Sequence, residues 1–447
     1  MASNHNGSLG PSPDGVSERQ GRARQRALAV AALDHDDDLA ELRELLRTAG
    51  VATVGTVVQR REQPHPNTYL GPGKVEEVKA LLADLDGNVV ACDDELSPRQ
   101  ERNLEKALGV PVIDRTAVIL DIFAGHAHTA EGKLQVELAQ LEYNLARMRG
   151  LWTHLDSLAG GVGTRGPGPA TRGPGERQIE TDRRLARDRI SALRRRLDDV
   201  GSSRAVMRAE RNRAEIPQVA LAGYTNAGKS TLLNALTAAH GDGESAAVGV
   251  RDRLFHTLDP TTRTVALDGR RVLFTDTVGF IRKLPHQLVD SFGATLEETR
   301  LADLILHVVD ASAPEDELGE MTGAVDAVLA DIGAGETPRL LVLNKADLVD
   351  DDRRLELGLR HPDALLTSGE TGEGLAALIE RVGEDFRRSM RPVDLLFPYA
   401  DGGSLAELHG VADGLEREDT PEGVRVTARL PETVAARYER FAVNGRP

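Results

Sequence analysis

The sequence predicts a multidomain α/β protein with four parts: an N-terminal parallel α/β domain, a long helical hairpin, a second α/β domain around a phosphate-binding loop, and a small C-terminal α+β domain. Three observations support this fold class. The 447 residues exceed what one hydrophobic core usually holds. Strand-like and helix-like segments alternate in two separate stretches, which is typical of parallel sheets. Between these stretches run two long segments with apolar residues at helical spacing.

The composition narrows the class of protein. With a single cysteine, Cys92, the chain can form no internal disulfide, and we expect a buried thiol. No apolar run approaches the roughly 20 residues that span a bilayer, and the polar N-terminus lacks a signal-peptide core, so we expect a cytoplasmic protein. The net charge is −16, and only seven of the 55 basic residues are lysine. This composition predicts a halophilic archaeal source, in which the acidity solvates the whole surface.

Residues 1–24 are rich in Ser, Gly, Pro and Asn and predict a disordered tail. Residues 25–131 alternate strands with amphipathic helices and so predict the first parallel α/β domain. Tyr69 and Lys74 are the groups of this domain that most suggest chemistry, and capping of the next helix explains them equally well. The strands are expected at 27–32, 51–59, 89–92 and 110–113, and the helices at 39–48, 75–85 and 98–108.

Residues 132–214 predict a helical hairpin. Leucines recur at steps of three and four over 133–152, and a similar stripe in the second helix includes Leu185, Ile190 and Leu193. The segment 159–177 between the two helices is rich in glycine and arginine. Two long helices joined by such a segment suggest an antiparallel pair with a Gly/Arg-rich tip.

Residues 215–389 predict the second α/β domain, whose first strand leads into a phosphate-binding loop. The strand at 219–222 is followed by Gly223-x-x-x-x-Gly228-Lys229-Ser230 and then by a helix. The N–H groups of such a loop surround a β-phosphate, the lysine reaches the β and γ oxygens, and the serine hydroxyl can ligate Mg²⁺. The strand before the loop and the helix after it make a nucleotide site the expected function of this domain.

The segment Asn344-Lys345-Ala346-Asp347, after a strand at 339–343, selects the base. The Asp347 carboxylate can accept hydrogen bonds from guanine N1 and N2, which adenine cannot donate. Asn344 would support guanine N7 and the loop, while the Lys345 stem would cover one face of the ring. The sequence therefore predicts a guanine nucleotide.

Further segments complete the order expected of a Ras-like P-loop GTPase domain. At the end of a strand at 271–275, Asp276 would hold Mg²⁺ through water, and the Gly279 N–H would contact the γ-phosphate. The first switch segment lies upstream, at 255–263. Three threonines there could reach Mg²⁺, namely Thr257, Thr261 and Thr262, and we choose Thr257. Two strands follow, at 305–309 and 364–367, and Ser368 and Gly369 after the latter suit contact with the guanine oxygen.

The predicted site has three overlapping sets of residues. The catalytic candidates are Lys229, Thr257 and Gly279, and the candidate Mg²⁺ ligands are Ser230, Thr257 and Asp276. The residues predicted to bind the nucleotide are Gly223, Tyr224, Thr225, Asn226, Ala227, Gly228, Lys229, Ser230, Thr231, Phe255, His256, Thr257, Leu258, Asp259, Asp276, Thr277, Val278, Gly279, Asn344, Lys345, Ala346, Asp347, Ser368 and Gly369.

The residue after Gly279 bears on the mechanism. Ras-like proteins place there a glutamine that orients the attacking water, whereas this chain has Phe280. An apolar side chain cannot orient water, so we expect slow intrinsic hydrolysis that a partner stimulates. Asn226 occupies the position where potassium-stimulated relatives keep an asparagine ligand; an asparagine that stabilises the turn is the equal alternative.

Residues 390–447 predict the small C-terminal α+β domain. Strands are expected at 394–397 and 424–428, and helices at 404–408 and 431–441. This segment contains none of the nucleotide-binding motifs, so no role follows from its sequence.

Long motifs at 67–77, 94–104, 112–116, 131–141, 163–168 and 175–184 are similar to those of a known family. On these residues, over about 26–388, the chain resembles the HflX ribosome-associated GTPases of the TrmE-Era-EngA-YihA-Septin-like group. The resemblance implies GTP hydrolysis with Mg²⁺ in the cytosol and binding to the large ribosomal subunit. It further implies a role in splitting or rescuing ribosomes under stress, or in subunit biogenesis. We expect a monomer.

The Gly/Arg-rich loop is the predicted contact with ribosomal RNA. Arg165, Arg172 and Arg177 carry planar donors on flexible backbone, which suits RNA recognised by phosphate, 2′-OH and shape. An ordinary flexible loop is the alternative. Gly-Pro-Gly occurs twice, at 166–168 and 173–175, and Arg177 stands where relatives have threonine. The loop is therefore longer than in the family, and either Gly-Pro-Gly could contact RNA.

Two other functions stay open on the sequence. One is a GTP-dependent regulatory binding protein acting on a membrane or protease partner, although no basic amphipathic helix favours a membrane. The other is an RNA-modifying enzyme that uses the N-terminal domain. Such an enzyme would need a nucleophile–base pair or a metal-ligand cluster, and residues 26–133 suggest neither.

Overall fold

The structure is a computed structural model. It describes residues 25–34, 39–159, 174–213, 216–241, 254–255, 260–267, 270–283, 293–409 and 412–443. The chain divides into two compact units. The first comprises 1–201, 251–259 and 283–293, and the second comprises 202–250, 260–282 and 294–447. The predicted tail at 1–24 lies outside the described residues, and the predicted domain boundaries stay predictions.

The first unit contains a four-stranded parallel sheet in the order β2-β1-β3-β4. Its inner strands β1 and β3 are buried almost throughout, which is why they appear in the sequence as continuous apolar runs. The strands are β1 (Arg26–Leu33), β2 (Ala52–Arg60), β3 (Val89–Cys92) and β4 (Val112–Asp114), and the helices are α1 (Ala40–Thr48), α2 (Pro72–Asp84), α3 (Pro98–Leu108) and α4 (Arg115–His126). The predicted parallel α/β fold is confirmed, and α4 was not predicted.

The polar groups of this unit that suggested chemistry have structural partners. The buried Tyr69 hydroxyl donates to Asp94 at 2.5 Å and accepts the Ala32 N–H at 3.0 Å. Lys74 pairs with Glu77 one helical turn away. Cys92 is fully buried, and this burial raises the pKa of its thiol. Among the described residues, no group of three or more His, Cys, Asp or Glu side chains is arranged to hold a metal ion.

The predicted hairpin consists of α5 (Ala130–Ala159) and α6 (Pro174–Arg213), which have 30 and 40 residues. Leu138 of α5 packs with Ile190 and Leu193 of α6, and further leucines of both helices border this cluster. The apolar positions of both helices alternate steps of three and four, as in a coiled coil.

Two ion pairs join the helices beside the apolar seam. Arg189 pairs with Glu137, and Arg194 pairs with Glu142. Each of these four residues is a sequence neighbour of a residue in the apolar cluster or at its border. The antiparallel orientation of the two helices stays a prediction.

One position of the predicted stripe was wrong. Leu185 is 58% exposed, and its neighbour Ala186 is buried instead. Alanine carries too little apolar surface to distinguish a seam position by hydrophobicity, so the larger leucine beside it gave a misleading pattern.

The second unit contains a six-stranded sheet in the order β10-β9-β8-β5-β7-β6. All neighbours are parallel except β6, which is antiparallel to β7. The strands are β5 (Gln218–Gly223), β6 (Thr261–Leu267), β7 (Arg270–Asp276), β8 (Leu304–Asp310), β9 (Arg339–Asn344) and β10 (Leu365–Leu366), and the helices are α7 (Lys229–His240), α8 (Gly293–Arg300), α9 (Glu315–Asp331), α10 (Asp351–Arg360) and α11 (Leu375–Arg388). The carboxyl ends of β5, β7, β8 and β9 share one edge, where the predicted motifs meet.

The C-terminal residues form the predicted α+β fold. Its sheet is antiparallel in the order β11-β13-β12, and it encloses a small core that includes Phe397, Leu408 and Val426. The elements are β11 (Arg391–Phe397), α12 (Gly402–Leu408), β12 (Asp413–Thr420), β13 (Gly423–Leu430) and α13 (Glu432–Tyr438). Strand β12 was not predicted.

Within the ranges that the structure describes, every helix is too short or too polar to cross a membrane.

Candidate nucleotide-binding site

The phosphate-binding loop runs from the end of β5 to the start of α7. Gly223 lies so close to β8 that a Cβ atom there would be 2.1 Å from the carbonyl oxygen of Val308. Gly228 has φ 87° and precedes the first turn of α7, and a Cβ atom there would be 2.4 Å from Asn344 Nδ2. Both glycines of the motif are therefore required by sterics, one by close packing of backbone and the other by its left-handed conformation as well.

Lys229 is buried at the base of this loop. Its ammonium donates to the carbonyl oxygens of Gly223 at 3.0 Å and Tyr224 at 2.9 Å. Burial lowers the pKa of Lys229 to about 8, and the nearby carboxylate of Asp276 opposes this shift. The two carbonyl groups thus hold the ammonium within the loop, where it can reach phosphate oxygens.

A hydroxyl and a carboxylate lie side by side next to the loop. Ser230 Oγ, in the first turn of α7, donates to Asp276 Oδ2 at 2.6 Å, and Asp276 is fully buried at the end of β7. Oxygen donors of these two kinds suit a hard cation such as Mg²⁺. The predicted pair is therefore brought together by the adjacent strands β5 and β7.

Asn344 joins two loops at the end of β9. Its Nδ2 donates to the carbonyl oxygen of Ala227 at 2.9 Å, and its Oδ1 accepts the Gly369 N–H at 3.1 Å. The side chain is 2% exposed, so these bonds are shielded from water. The phosphate-binding loop and the loop after β10 are consequently fixed to one amide.

The base-reading candidates lie beside this amide. Asp347 is exposed, and Ser368 Oγ donates to its Oδ1 at 2.5 Å. The same Ser368 oxygen accepts the Thr371 N–H at 3.1 Å, so the loop fixes the position of the Ser368 hydroxyl. This hydroxyl in turn orients the Asp347 carboxylate. Lys345 pairs with Asp310 at 2.7 Å, which holds its stem at the end of β8. Asp310 is a partner that the sequence motifs did not reveal.

Gly369 packs directly on the phosphate-binding helix. A Cβ atom at this residue would lie 2.9 Å from the backbone nitrogen of Leu232 in α7. The predicted loop 368–369 therefore belongs to the same site as the phosphate-binding loop, and only glycine fits at 369 without displacement of α7.

The segment after β7 continues alongside the phosphate-binding loop. Thr277, also fully buried, donates from Oγ1 to the Leu221 carbonyl oxygen at 2.7 Å, a contact that sequence reasoning missed. Val278 is buried, and Gly279 follows it. Phe280 is only 1% exposed, so its side chain is part of the core and not of an open site.

Most of the residues predicted for the first switch segment cannot be placed in the site. Phe255 belongs to the first unit, where its ring packs edge-on against Phe123 with centroids 4.7 Å apart. His256, Thr257, Leu258 and Asp259 lie outside the described residues. The choice of Thr257 as Mg²⁺ ligand therefore stays a prediction.

Three protein-family models match the chain in succession. They are described as "GTP-binding GTPase N-terminal" for residues 36–124, "GTP-binding GTPase Middle Region" for 126–211, and "50S ribosome-binding GTPase" for 218–345. Together they cover most of the chain.

The chain is also similar, over nearly its whole length, to relatives named GTPase HflX. It is 44% identical over 413 residues to the protein of Lacrimispora saccharolytica, covering 92% of this chain and 94% of that one. It is 42% identical over 431 residues to the protein of Caldanaerobacter subterraneus, with 96% of each chain covered. The Escherichia coli protein is 42% identical over 400 residues, which cover 88% of this chain and 90% of that protein.

Among solved structures, a GTP-binding protein from the hyperthermophilic archaeon Sulfolobus solfataricus, in complex with GDP, has a TM-score of 0.41 to this chain. The two are 24% identical, and the similarity covers 80% of this chain and 97% of the other. The three relatives named above give no support to the predicted halophilic archaeal source.

Proposed function

Because the chain belongs to the HflX family of GTPases, and so hydrolyses GTP, we propose that it is a cytoplasmic molecular switch that binds the large ribosomal subunit. We place its action in ribosome splitting or rescue under stress, or in subunit biogenesis. The observation that carries the proposal is the match of residues 218–345 to a model described as a 50S ribosome-binding GTPase. The protein would act as a monomer.

Within the nucleotide site, the chain's own residues have distinct roles in this proposal. Lys229 binds the β and γ oxygens, and the Gly279 N–H binds the γ-phosphate. Asp347, oriented by Ser368, reads guanine N1 and N2. The pair of Ser230 and Asp276, with Thr257, would hold Mg²⁺, which when bound offsets negative charge on the phosphate oxygens.

The position of Phe280 supports a dependence on an activator. Its side chain is buried and apolar, so it offers no polar atom to an attacking water. Hydrolysis would therefore be slow in the isolated protein, and the ribosome would supply or position the missing groups. Asn226, whose φ is 61°, could in addition ligate K⁺, and this role is part of the proposal.

The RNA contact would come from the Gly/Arg-rich loop. Arg165 and Arg172 lie outside the described residues, and Arg177 lies in the first turns of α6. Two arginines in the segment between α5 and α6, with a third at the start of α6, suit phosphate and 2′-OH recognition. This charge is local, because the chain as a whole carries −16.

Co-sedimentation with purified large subunits in the presence of a non-hydrolysable GTP analogue tests the proposal. Wild-type protein is compared with a deletion of residues 160–176, and with Arg194→Ala, which removes an exposed arginine of the same hairpin outside the loop. We expect the deletion to lose binding and Arg194→Ala to retain it. Equal binding by all three would remove the loop from the proposal. Absence of binding by the wild type would favour a regulatory protein with another partner.

A further inference from the structure

The segment from Gly279 to Arg282 is held against the phosphate-binding loop by backbone hydrogen bonds. The Phe280 N–H donates to the Gly223 carbonyl oxygen at 3.0 Å, and the Thr225 N–H donates to the Phe280 carbonyl oxygen at 2.7 Å. Tyr224 and Phe280 thereby form an isolated parallel β-bridge. The bridge extends the pairing of β5 with β7 into the loop that surrounds the phosphates.

The bridge brings Gly279 against the catalytic lysine. A Cβ atom on Gly279 would lie 2.8 Å from Thr225 Cγ2, 2.9 Å from Thr225 Cα and 3.2 Å from Lys229 Nζ. A small displacement of this segment therefore changes the distance between the Gly279 backbone and the ammonium that binds the β and γ oxygens.

A side chain of the phosphate-binding loop fixes the far end of the same segment. The hydroxyl of Tyr224 accepts the Arg282 N–H at 2.8 Å, two residues beyond the bridge. The tyrosine is 8% exposed, so water competes little for this bond. The Arg282 side chain also pairs with Glu320 of α9, but this pair is exposed and contributes little.

The phosphate-loop pattern does not itself require tyrosine at this position, because the four residues between its glycines are free. The ring length places an oxygen beside Arg282 that phenylalanine lacks and that a shorter polar residue could not deliver. The hydroxyl thus has a function separate from phosphate contact by the loop backbone.

We propose that Tyr224 is a positioning residue for GTP hydrolysis: by accepting the Arg282 N–H, its hydroxyl holds Gly279 at the distance from Lys229 at which the Gly279 amide meets the γ-phosphate. The inference rests on the proposed role of Gly279. GDP has no γ-phosphate, so the hydroxyl acts on GTP and leaves GDP binding unaffected.

The test is Tyr224→Phe, which removes one oxygen atom and keeps the ring. The control is Tyr399→Phe in the C-terminal domain, where the hydroxyl donates to the Thr420 carbonyl oxygen at 2.7 Å. Dissociation constants for fluorescent GDP and for a fluorescent non-hydrolysable GTP analogue are measured, together with kcat and KM for GTP. For Tyr224→Phe we expect the ratio of GTP-analogue affinity to GDP affinity to fall about threefold to tenfold. We expect kcat/KM for GTP to fall by a similar factor, because the loss of one buried hydrogen bond changes an equilibrium by about this much. Tyr399→Phe should match the wild type.

The outcomes separate the possible explanations. An unchanged affinity ratio with unchanged kcat/KM would overturn the positioning role while leaving the nucleotide site intact. A loss of GDP and GTP-analogue affinity by the same factor would show that the hydroxyl only stabilises the phosphate-binding loop, and would also overturn it. Failure of the wild type to bind either nucleotide would instead refute the proposed site, and with it this role.

Discussion

The amide of Asn344 provides a test of how the site is organised. Substitution by alanine removes the donor to Ala227 and the acceptor for Gly369, and it leaves both partners buried or partly buried without them. The amide also has two longer contacts. Its Nδ2 lies 3.5 Å from the Gly228 carbonyl oxygen, and its Oδ1 lies 3.4 Å from Thr367 Oγ1, so both contribute little to the binding free energy.

Two buried hydrogen bonds at about 1–1.5 kcal/mol each give a loss of about 2–3 kcal/mol. Because the amide joins the phosphate-binding loop to the loop after β10, we expect this loss to fall on nucleotide binding. For Asn344→Ala we therefore expect the dissociation constant for GDP to rise about 30-fold to 150-fold. Fluorescence titration with labelled GDP measures this change, and the same titration with GTP analogue should give the same factor, since both nucleotides share the base and the β-phosphate.

The matched control is Asn88→Ala. Its Oδ1 accepts the Arg26 N–H at 2.8 Å on the surface of the first unit, so the same chemical change should leave GDP affinity within twofold. A dissociation constant for Asn344→Ala within twofold of the wild type would refute the reasoning, because it would mean that the two loops are ordered without this amide.

Three further predictions concern the hairpin, the lysine and the asparagine of the phosphate-binding loop. Leu193→Ala, at a fully buried seam position, should lower the free energy of hairpin opening by about 2–4 kcal/mol in hydrogen exchange, whereas Leu185→Ala should change it by less than about 0.5 kcal/mol; equal effects would contradict the observed seam. If Lys229 binds phosphate oxygens as proposed, it must be protonated to do so, and its pKa is lowered to about 8. GDP affinity should then be constant up to about pH 7 and fall about tenfold per pH unit well above pH 8, with proton uptake on binding in calorimetry. A flat profile to pH 9.5 would exclude this titration. If Asn226 ligates K⁺, GTP turnover should be faster in KCl than in NaCl at equal ionic strength and Asn226→Ala should abolish the difference, whereas equal rates for the wild type would reject the K⁺ site.

The sequence predicted most of the fold because its strongest patterns are local. The inner strands of both sheets, the leucine seam of the hairpin and the helix after the phosphate-binding loop are each specified by periodicity within a few residues. The HflX GTPase family, inferred from motifs, is confirmed by the family models and the relatives.

The elements that were missed lack such local patterns. Helix α4 is buried on most of its sides, so its sequence has no polar face to give a helical period. Strand β12 is charged and mostly exposed at a sheet edge, where side chains do not report the pairing of the backbone. Strand β6 overlaps the predicted switch segment at 255–263, where Thr261 and Thr262 are also possible metal ligands by sequence.

In the nucleotide site, too, some residues could be predicted from local sequence and some contacts could not. Motif spacing predicted Lys229, Asn344 and Asp347, because the chemistry of phosphate and guanine dictates these residue types. The contacts that orient the motifs could not be predicted. The Thr277 hydroxyl on the Leu221 carbonyl oxygen and the Tyr224 hydroxyl on the Arg282 N–H join residues more than 50 positions apart, and only the folded sheet brings them together.

The 30 residues of α5 also give the hairpin a mechanical property. At 1.5 Å per residue this helix is about 45 Å long, and its contacts with the rest of the first unit extend as far as Arg147, which pairs with Glu101 and Asp114. The twelve residues from there to Ala159 add about 18 Å, so a tilt of about 5° at Arg147 would move the last residue by roughly 1.6 Å. The two ion pairs of Arg147 therefore set how far the outer part of α5 can swing.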